Sequence, residues 1–219
     1  MNKHLQLALL TAVLALSILG CALGNPTDGN TTTGEPNRVL FQDDFSDDKS
    51  GWKTLREGQG IIDYENGGFR IFVPETKIDY WTVAGLNFGD VHIETDVTKT
   101  GGPDDNDFGI ICRYQDEENF YGLLISSDGY YGVSKMKNGE HNIVGSDGMQ
   151  FSDTIRTGAT TNRIGADCIG KRIVLYINGE LLVEVEDGDF QSGDIGLMAG
   201  TFDSAGVDIL FDNLVVTKP

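Results

Sequence analysis

Short runs of alternating apolar and polar residues, separated by turn residues, fill the chain from Val39 onward. The clearest lies between Arg172 and Glu186. Ile173, Leu175 and Ile177 share one face ahead of Asn178-Gly179, and Leu181, Val183 and Val185 alternate with Leu182, Glu184 and Glu186 after it. A period of two sends successive side chains to opposite faces of a strand, and Asn-Gly tolerates the positive φ angles of a tight hairpin, so this stretch predicts a β-hairpin. Asn66-Gly67, Asp128-Gly129, Asn138-Gly139, Asp147-Gly148 and Asp187-Gly188 supply the same turn chemistry. Further strands are expected over 60–64, 68–73, 81–88, 91–98, 108–115, 120–126, 131–137, 161–168, 194–199 and 207–217. No stretch beyond the first 20 residues carries a helical period with caps. About a dozen antiparallel strands cannot lie in one open sheet without leaving an apolar face in water. The expected fold is therefore all-β, a two-sheet antiparallel jelly-roll sandwich.

The chain opens differently. Basic Lys3 precedes an apolar stretch from Leu5 to Leu19, which closes on Ile18-Leu19-Gly20-Cys21. This resembles the signal sequence of a bacterial lipoprotein, in which cleavage before the cysteine frees its thiol for a diacylglyceryl group. An ordinary secretory signal peptide is the alternative. The resemblance implies a signal peptide over 1–20, lipidation at Cys21 and an extracytoplasmic location. Residues 21–38, rich in Gly, Asn, Thr and Pro, have almost nothing apolar to bury and read as a flexible tether. The folded domain is expected over 39–219. No other apolar run approaches the ~20 residues that cross a bilayer, so the lipid is the only membrane attachment expected.

Charge narrows the partners. Asp and Glu number 34 against 16 Lys and Arg, a formal net charge of −18, and loss of the leader removes Lys3 as well. Nucleic acid is excluded as an expected partner. Acidity of this size fits a soluble surface, a preference for divalent cations or salty surroundings. With Cys21 lipidated, Cys112 and Cys168 remain as an even pair in an exported chain, each on the apolar face of an expected strand. They form a disulfide if those strands are neighbours, and otherwise stand as two buried thiols.

Several segments carry a family resemblance when read in order. They are Phe45-Ser46-Asp47 with Gly51-Trp52, the run from Tyr64 to Ile71, the run from Phe108 to Gln115, and Asn119-Phe120-Tyr121 with Ser127 to Gly132. Asn162-Arg163-Ile164 and the closing Phe211-Asp212-Asn213 complete the series. Together they resemble the concanavalin A-like lectin/glucanase superfamily, in particular its laminin-G-like and 3-keto-disaccharide hydrolase-like domains. The resemblance implies two curved antiparallel sheets, carbohydrate bound on the concave face, and a calcium ion near the first and last strands. Here that ion would bring Asp44 toward Asp212.

Catalytic chemistry is harder to find. Family 16 glycoside hydrolases of this architecture carry a Glu-x-Asp-x-x-Glu pattern, and retaining hydrolysis needs two carboxyl groups about 5–5.5 Å apart. The nearest match, Glu94-Thr95-Asp96-Val97-Thr98-Lys99, has lysine in place of the second glutamate. Alternation puts Glu94 and Asp96 on one face, where a solvated strand surface is the simpler role. His92 and His141 are isolated, and neither a Gly-x-Ser-x-Gly elbow nor a cysteine–histidine metal spacing occurs.

Sugar binding asks for exposed rings beside polar side chains. Trp81 next to Tyr80, Tyr121, and the pair Tyr130-Tyr131 are candidate platforms. Arg113, opposite Cys112 in the alternation, and Lys135 are the candidate polar partners. The expected ligand set is Trp81, Arg113, Tyr121, Tyr131 and Lys135, with an extracellular glycan or cell-surface polymer as partner. The expected role is a lipid-anchored, non-catalytic recognition domain. The alternatives are a glycosidase-like enzyme using Glu94 and Asp96, and a structural surface protein that associates with itself.

Overall fold

The computed structural model describes residues 36–58 and 60–219. The leader, Cys21 and nearly all of the tether lie outside the described residues. Among those described there is no helix, and the strands form two antiparallel sheets.

In chain order the strands are β1 (Val39–Asp43), β2 (Leu55–Glu57), β3 (Gly60–Glu65), β4 (Gly68–Val73), β5 (Asp79–Val83), β6 (Val91–Gly101), β7 (Asn106–Asp116) and β8 (Asn119–Ile125). They continue with β9 (Tyr130–Lys137), β10 (Glu140–Ile143), β11 (Gln150–Phe151), β12 (Thr161–Ile169), β13 (Arg172–Ile177), β14 (Glu180–Glu186), β15 (Asp194–Thr201) and β16 (Val207–Thr217). One sheet runs β14-β13-β12-β6-β16-β4-β3-β2, with β1 also paired to β16. The other runs β10-β9-β8-β7-β15-β5, with β11 added to β9. The result is the expected two-sheet sandwich.

Turn chemistry sets the hairpins. Asn66-Gly67, Asn138-Gly139 and Asn178-Gly179 take positive φ at both positions and join β3 to β4, β9 to β10 and β13 to β14. Asp147-Gly148 and Asp187-Gly188 lie in loops instead. The strand expected over 81–88 runs from Asp79 to Val83: Gly85 turns at φ 78°, and beyond it only Phe88 bridges, to Gly193.

Alternation fills the space between the sheets. On β6, Val91, Ile93 and Val97 point inward while His92, Glu94 and Asp96 face out; β8 contributes Tyr121, Leu123 and Ile125 from the opposite sheet. Phe45, Trp52, Tyr64 and Phe69, which carried part of the resemblance, pack as one aromatic group, and Trp52 Nε1 donates to Asp43 at 2.9 Å. These residues serve the fold. A disulfide joins Cys112 on β7 to Cys168 on β12. The two strands are not neighbours in a sheet; they face each other across the core, so the bond ties one sheet to the other.

Candidate functional site

The outer face of the seven-stranded sheet departs from the usual polar surface. Ile111, Phe120, Leu124 and Met198 form a second buried apolar cluster there, with Trp81, Tyr114, Met136 and Met149 packed against it. Alternation explains the placement: Ile111 on β7, Phe120 and Leu124 on β8 and Met198 on β15 are each offset by one from the core-facing set. Trp81 and Tyr114 flank Phe120, each with a ring-centroid separation of 5.7 Å.

A cavity of about 540 Å³ opens on this face. Leu124, Ile143 and Met149 give it apolar walls, and the half-exposed rings of Tyr130 and Phe202 stand at its rim. Asp105, Asp107, Ser126, Asp128 and His141 supply its polar groups. Its framework is fixed from behind. Buried Asn106, at the start of β7, donates to Ser127 Oγ at 3.1 Å and accepts the Ser127 amide at 2.9 Å, holding the end of β8 against the base of Asp107.

Asp107 is the unusual member. It is 6% exposed, and its Oδ1 has no hydrogen-bond partner among the described residues. Register explains its company: Gly200 on β15 lies opposite Asp79 on one side and Asp107 on the other. A Cβ placed on Gly200 would collide with Oδ1 of both carboxylates, which puts the two oxygens within roughly 4 Å of each other, where like charges oppose double ionisation. Burial, then the Asp79 charge, pushes the Asp107 carboxyl up to about 7. Burial raises Asp79 as well, and His141 partly offsets the rise. Two carboxyl groups over one bare glycine can hold a shared proton or receive a donor-rich, positively charged group.

The residues expected from the sequence fall elsewhere. Of the five expected ligands only Trp81 lies on this face, on the same strand as Asp79, half-buried against Phe120. Tyr121 points into the core, fully buried, with its hydroxyl donating to Asp187 and accepting the Phe190 amide at 3.3 Å. Lys135 joins the same carboxylate and Asp189, so these two meet at Asp187 in a structural ion cluster. Tyr131 packs half-buried against the main core, and its hydroxyl reaches Gln150 at 3.2 Å.

Arg113 needs the largest correction. Its φ of 54° and the register shift between Cys112 and Asp116 mark a β-bulge, and the alternation that placed it on the outer face stops there. The side chain, 1% exposed, donates instead to the Gly170 and Phe190 carbonyls and to Asp90 Oδ1. Arg113→Met leaves two carbonyls without a donor and is expected to lower the unfolding free energy by about 2–3 kcal/mol, measured by urea titration.

Glu94 and Asp96 face outward from the other sheet, both held by Arg163, with Asn213 Nδ2 donating to Asp96. β1 pairs with the end of β16, Asp43 opposite Leu214, which brings Asp44 toward the bulge in β16 that follows Asp212. Each carboxylate accepts a backbone amide, Asp44 from Ser46 at 3.0 Å and Asp212 from Asn213 at 2.7 Å. Among the described residues no three His, Cys, Asp or Glu gather as a metal site.

Sequence reasoning missed Asp79, Asp107, His141 and Phe202. Only alternation on β7, which puts Asp107 in phase with Gly109 and Ile111, was there to find the second of these.

No family model and no curated protein matches the chain. Solved structures do. Carbohydrate-binding module CBM66 from Bacillus subtilis is 18% identical with a TM-score of 0.61, over 77% of this chain and 96% of its own. A protein of unknown function with a galectin-like fold, also from Bacillus subtilis, is 14% identical with a TM-score of 0.59, over 84% and 97%. The GH43 protein BlXynB from Bacillus licheniformis gives 14% and 0.59, matching 81% of this chain to 39% of that longer one. What the chain shares with all three is the fold, a two-sheeted antiparallel β-sandwich of jelly-roll type.

Proposed function

We propose that the protein is a glycan-recognition module, held outside the cytoplasm by lipid at Cys21, and that it binds sugar in the cavity on the outer face of its seven-stranded sheet. The observation that carries this reading is the pairing of exposed rings with polar groups around one cavity: Tyr130 and Phe202 at the rim, Asp107, Ser126 and Asp128 within. Flat ring faces pack against the C–H surface of a pyranose while carboxylates accept its hydroxyl protons. The fold likeness to a carbohydrate-binding module supports the same reading. The cross-core disulfide supports export, since such bonds persist in oxidising compartments.

The test is a printed array of plant, fungal and bacterial glycans probed with the purified chain. Tyr130→Ala and Phe202→Ala are each expected to weaken binding to the best glycan about tenfold, with melting temperature unchanged because both rings are half-exposed. An array without hits from a folded protein would overturn the reading.

A second reading rests on the carboxyl pair. A buried aspartic acid raised toward neutrality beside a second carboxylate resembles the acid of a hydrolase. Reducing-sugar release from the array's best ligand, lost in Asp107→Asn, would favour it over simple binding.

A further inference from the structure

Several carboxylates shielded from solvent in this protein have their charge answered. Asp43 accepts from Trp52 Nε1 and the Phe45 amide, Asp167 from His92, Tyr176 and Arg172, Asp194 from the Gly85 and Leu86 amides, and Asp208 from Arg70. Asp79 and Asp107 stand apart. Among the described residues Asp107 Oδ1 has no partner, the neighbouring charge easing Asp79 is His141, and the cavity lining holds no lysine or arginine. A carboxylate as buried as Asp107, beside a half-buried second one, costs stability when neither is answered. Asp107 lines a cavity with an aromatic rim and Asp79 stands on the other side of Gly200, an arrangement that points to a ligand supplying what is missing.

Three kinds of ligand could supply it. A divalent cation needs more oxygens than two carboxylates give, and no third metal-ligating residue joins them among the described residues. A neutral sugar hydroxyl donates one proton and leaves the charges unanswered. An ammonium group carries three donors and a full positive charge, and can stand about 2.8 Å from an oxygen of each carboxylate. The bare backbone of Gly200 leaves both carboxyl groups unobstructed by any side chain between them. The rings of Tyr130 and Phe202 add faces that attract a cation and pack on the sugar that bears it. A chain with net charge −18 also concentrates a polycation at its surface.

Resting on the glycan reading above, we infer that Asp79 and Asp107 form a subsite for the ammonium group of an amino sugar, so that the glycan recognised is one with free, non-acetylated amines. Asp105 and Asp128, also in the cavity lining, extend the negative field toward the next residue of such a polymer.

Calorimetric titration of the purified full chain with hexamers of β-1,4-linked glucosamine and α-1,4-linked galactosamine, each in free-amine and fully N-acetylated form, tests this. At least one free-amine hexamer is expected to bind tenfold or more tightly than its acetylated counterpart. Asp79→Asn with Asp107→Asn, which keeps the shape and removes the charge, is expected to bring that ratio to about one while circular dichroism stays unchanged. If the double variant fails to fold, Asp79→Asn alone should reduce the ratio severalfold. Equal or tighter binding of the acetylated hexamers would overturn the ammonium subsite and leave glycan recognition standing. Binding of neither form, with hits for neutral glycans on the array, would overturn it equally. Hexalysine binding as tightly as the free-amine hexamer would replace the sugar with a basic peptide. A calcium-induced rise in melting temperature that vanishes in the double variant would make the pair a metal site instead. Failure of the array and of every hexamer would remove both readings.

Discussion

Asp107→Asn is expected to stabilise the protein at alkaline pH, by on the order of 4 kcal/mol once the wild-type carboxyl is ionised. The sign follows from the direction of the shift. In the unfolded chain the carboxyl titrates at its model value of 3.8, and in the folded protein burial and Asp79 hold it at about 7. Between those values the folded protein keeps a proton that the unfolded chain has released, so wild-type stability falls as pH rises through this window and levels off above it. Asparagine does not titrate, and the difference between variant and wild type should grow from near zero at about pH 4 to its full size near pH 8. Paired urea titrations across that range measure it. A constant difference would mean that folding does not shift the Asp107 carboxyl from its unfolded value. The same substitution is expected to weaken ligand binding, because stability and function oppose one another where a site keeps uncompensated charge.

Removing the disulfide is the second large effect. Cys112 and Cys168 are separated by 56 positions, and the chain-entropy treatment of a loop of that length gives about 4 kcal/mol. The position of the bond adds to the expectation, since it joins β7 of one sheet to β12 of the other and both cysteines are fully buried. Cys112→Ala with Cys168→Ala should lower the denaturant midpoint without changing the far-ultraviolet spectrum of the fold. Reductant should reproduce the loss in the wild-type chain and have no effect on the variant. An unchanged midpoint would show that packing alone holds the sheets together.

The fold was legible in the sequence because its signal is local. Alternation from Arg172 to Glu186 around Asn178-Gly179 gave β13, its turn and β14 almost to the residue. The short β1, β2, β10 and β11 escaped, since two to five residues carry too little of a period. The site was much less legible. Arg113 was misplaced because alternation cannot foresee the bulge that turns it. Tyr121 and Lys135 carry the right chemistry for a ligand, yet both lie on the inner side of their strands and meet at Asp187. Asp107 hid inside Asp104-Asp105-Asn106-Asp107, which reads as a solvated charge run until Asn106 proves to be a buried clasp. Nothing near Asp79 in the sequence points to Asp107; only the register of β5 and β7 on either side of Gly200 unites them.

The proposed binding surface is thus the outer face of the seven-stranded sheet rather than any single motif. Backbone amide shifts in an NMR titration with the array's tightest glycan test it most directly. The account expects the largest changes at Leu124, Ser126, Tyr130, His141, Ile143 and Phe202, with saturation at one affinity. Changes confined to Glu94, Asp96 and Arg163 on the opposite sheet, or to the Tyr121–Lys135–Asp187 cluster, would contradict it.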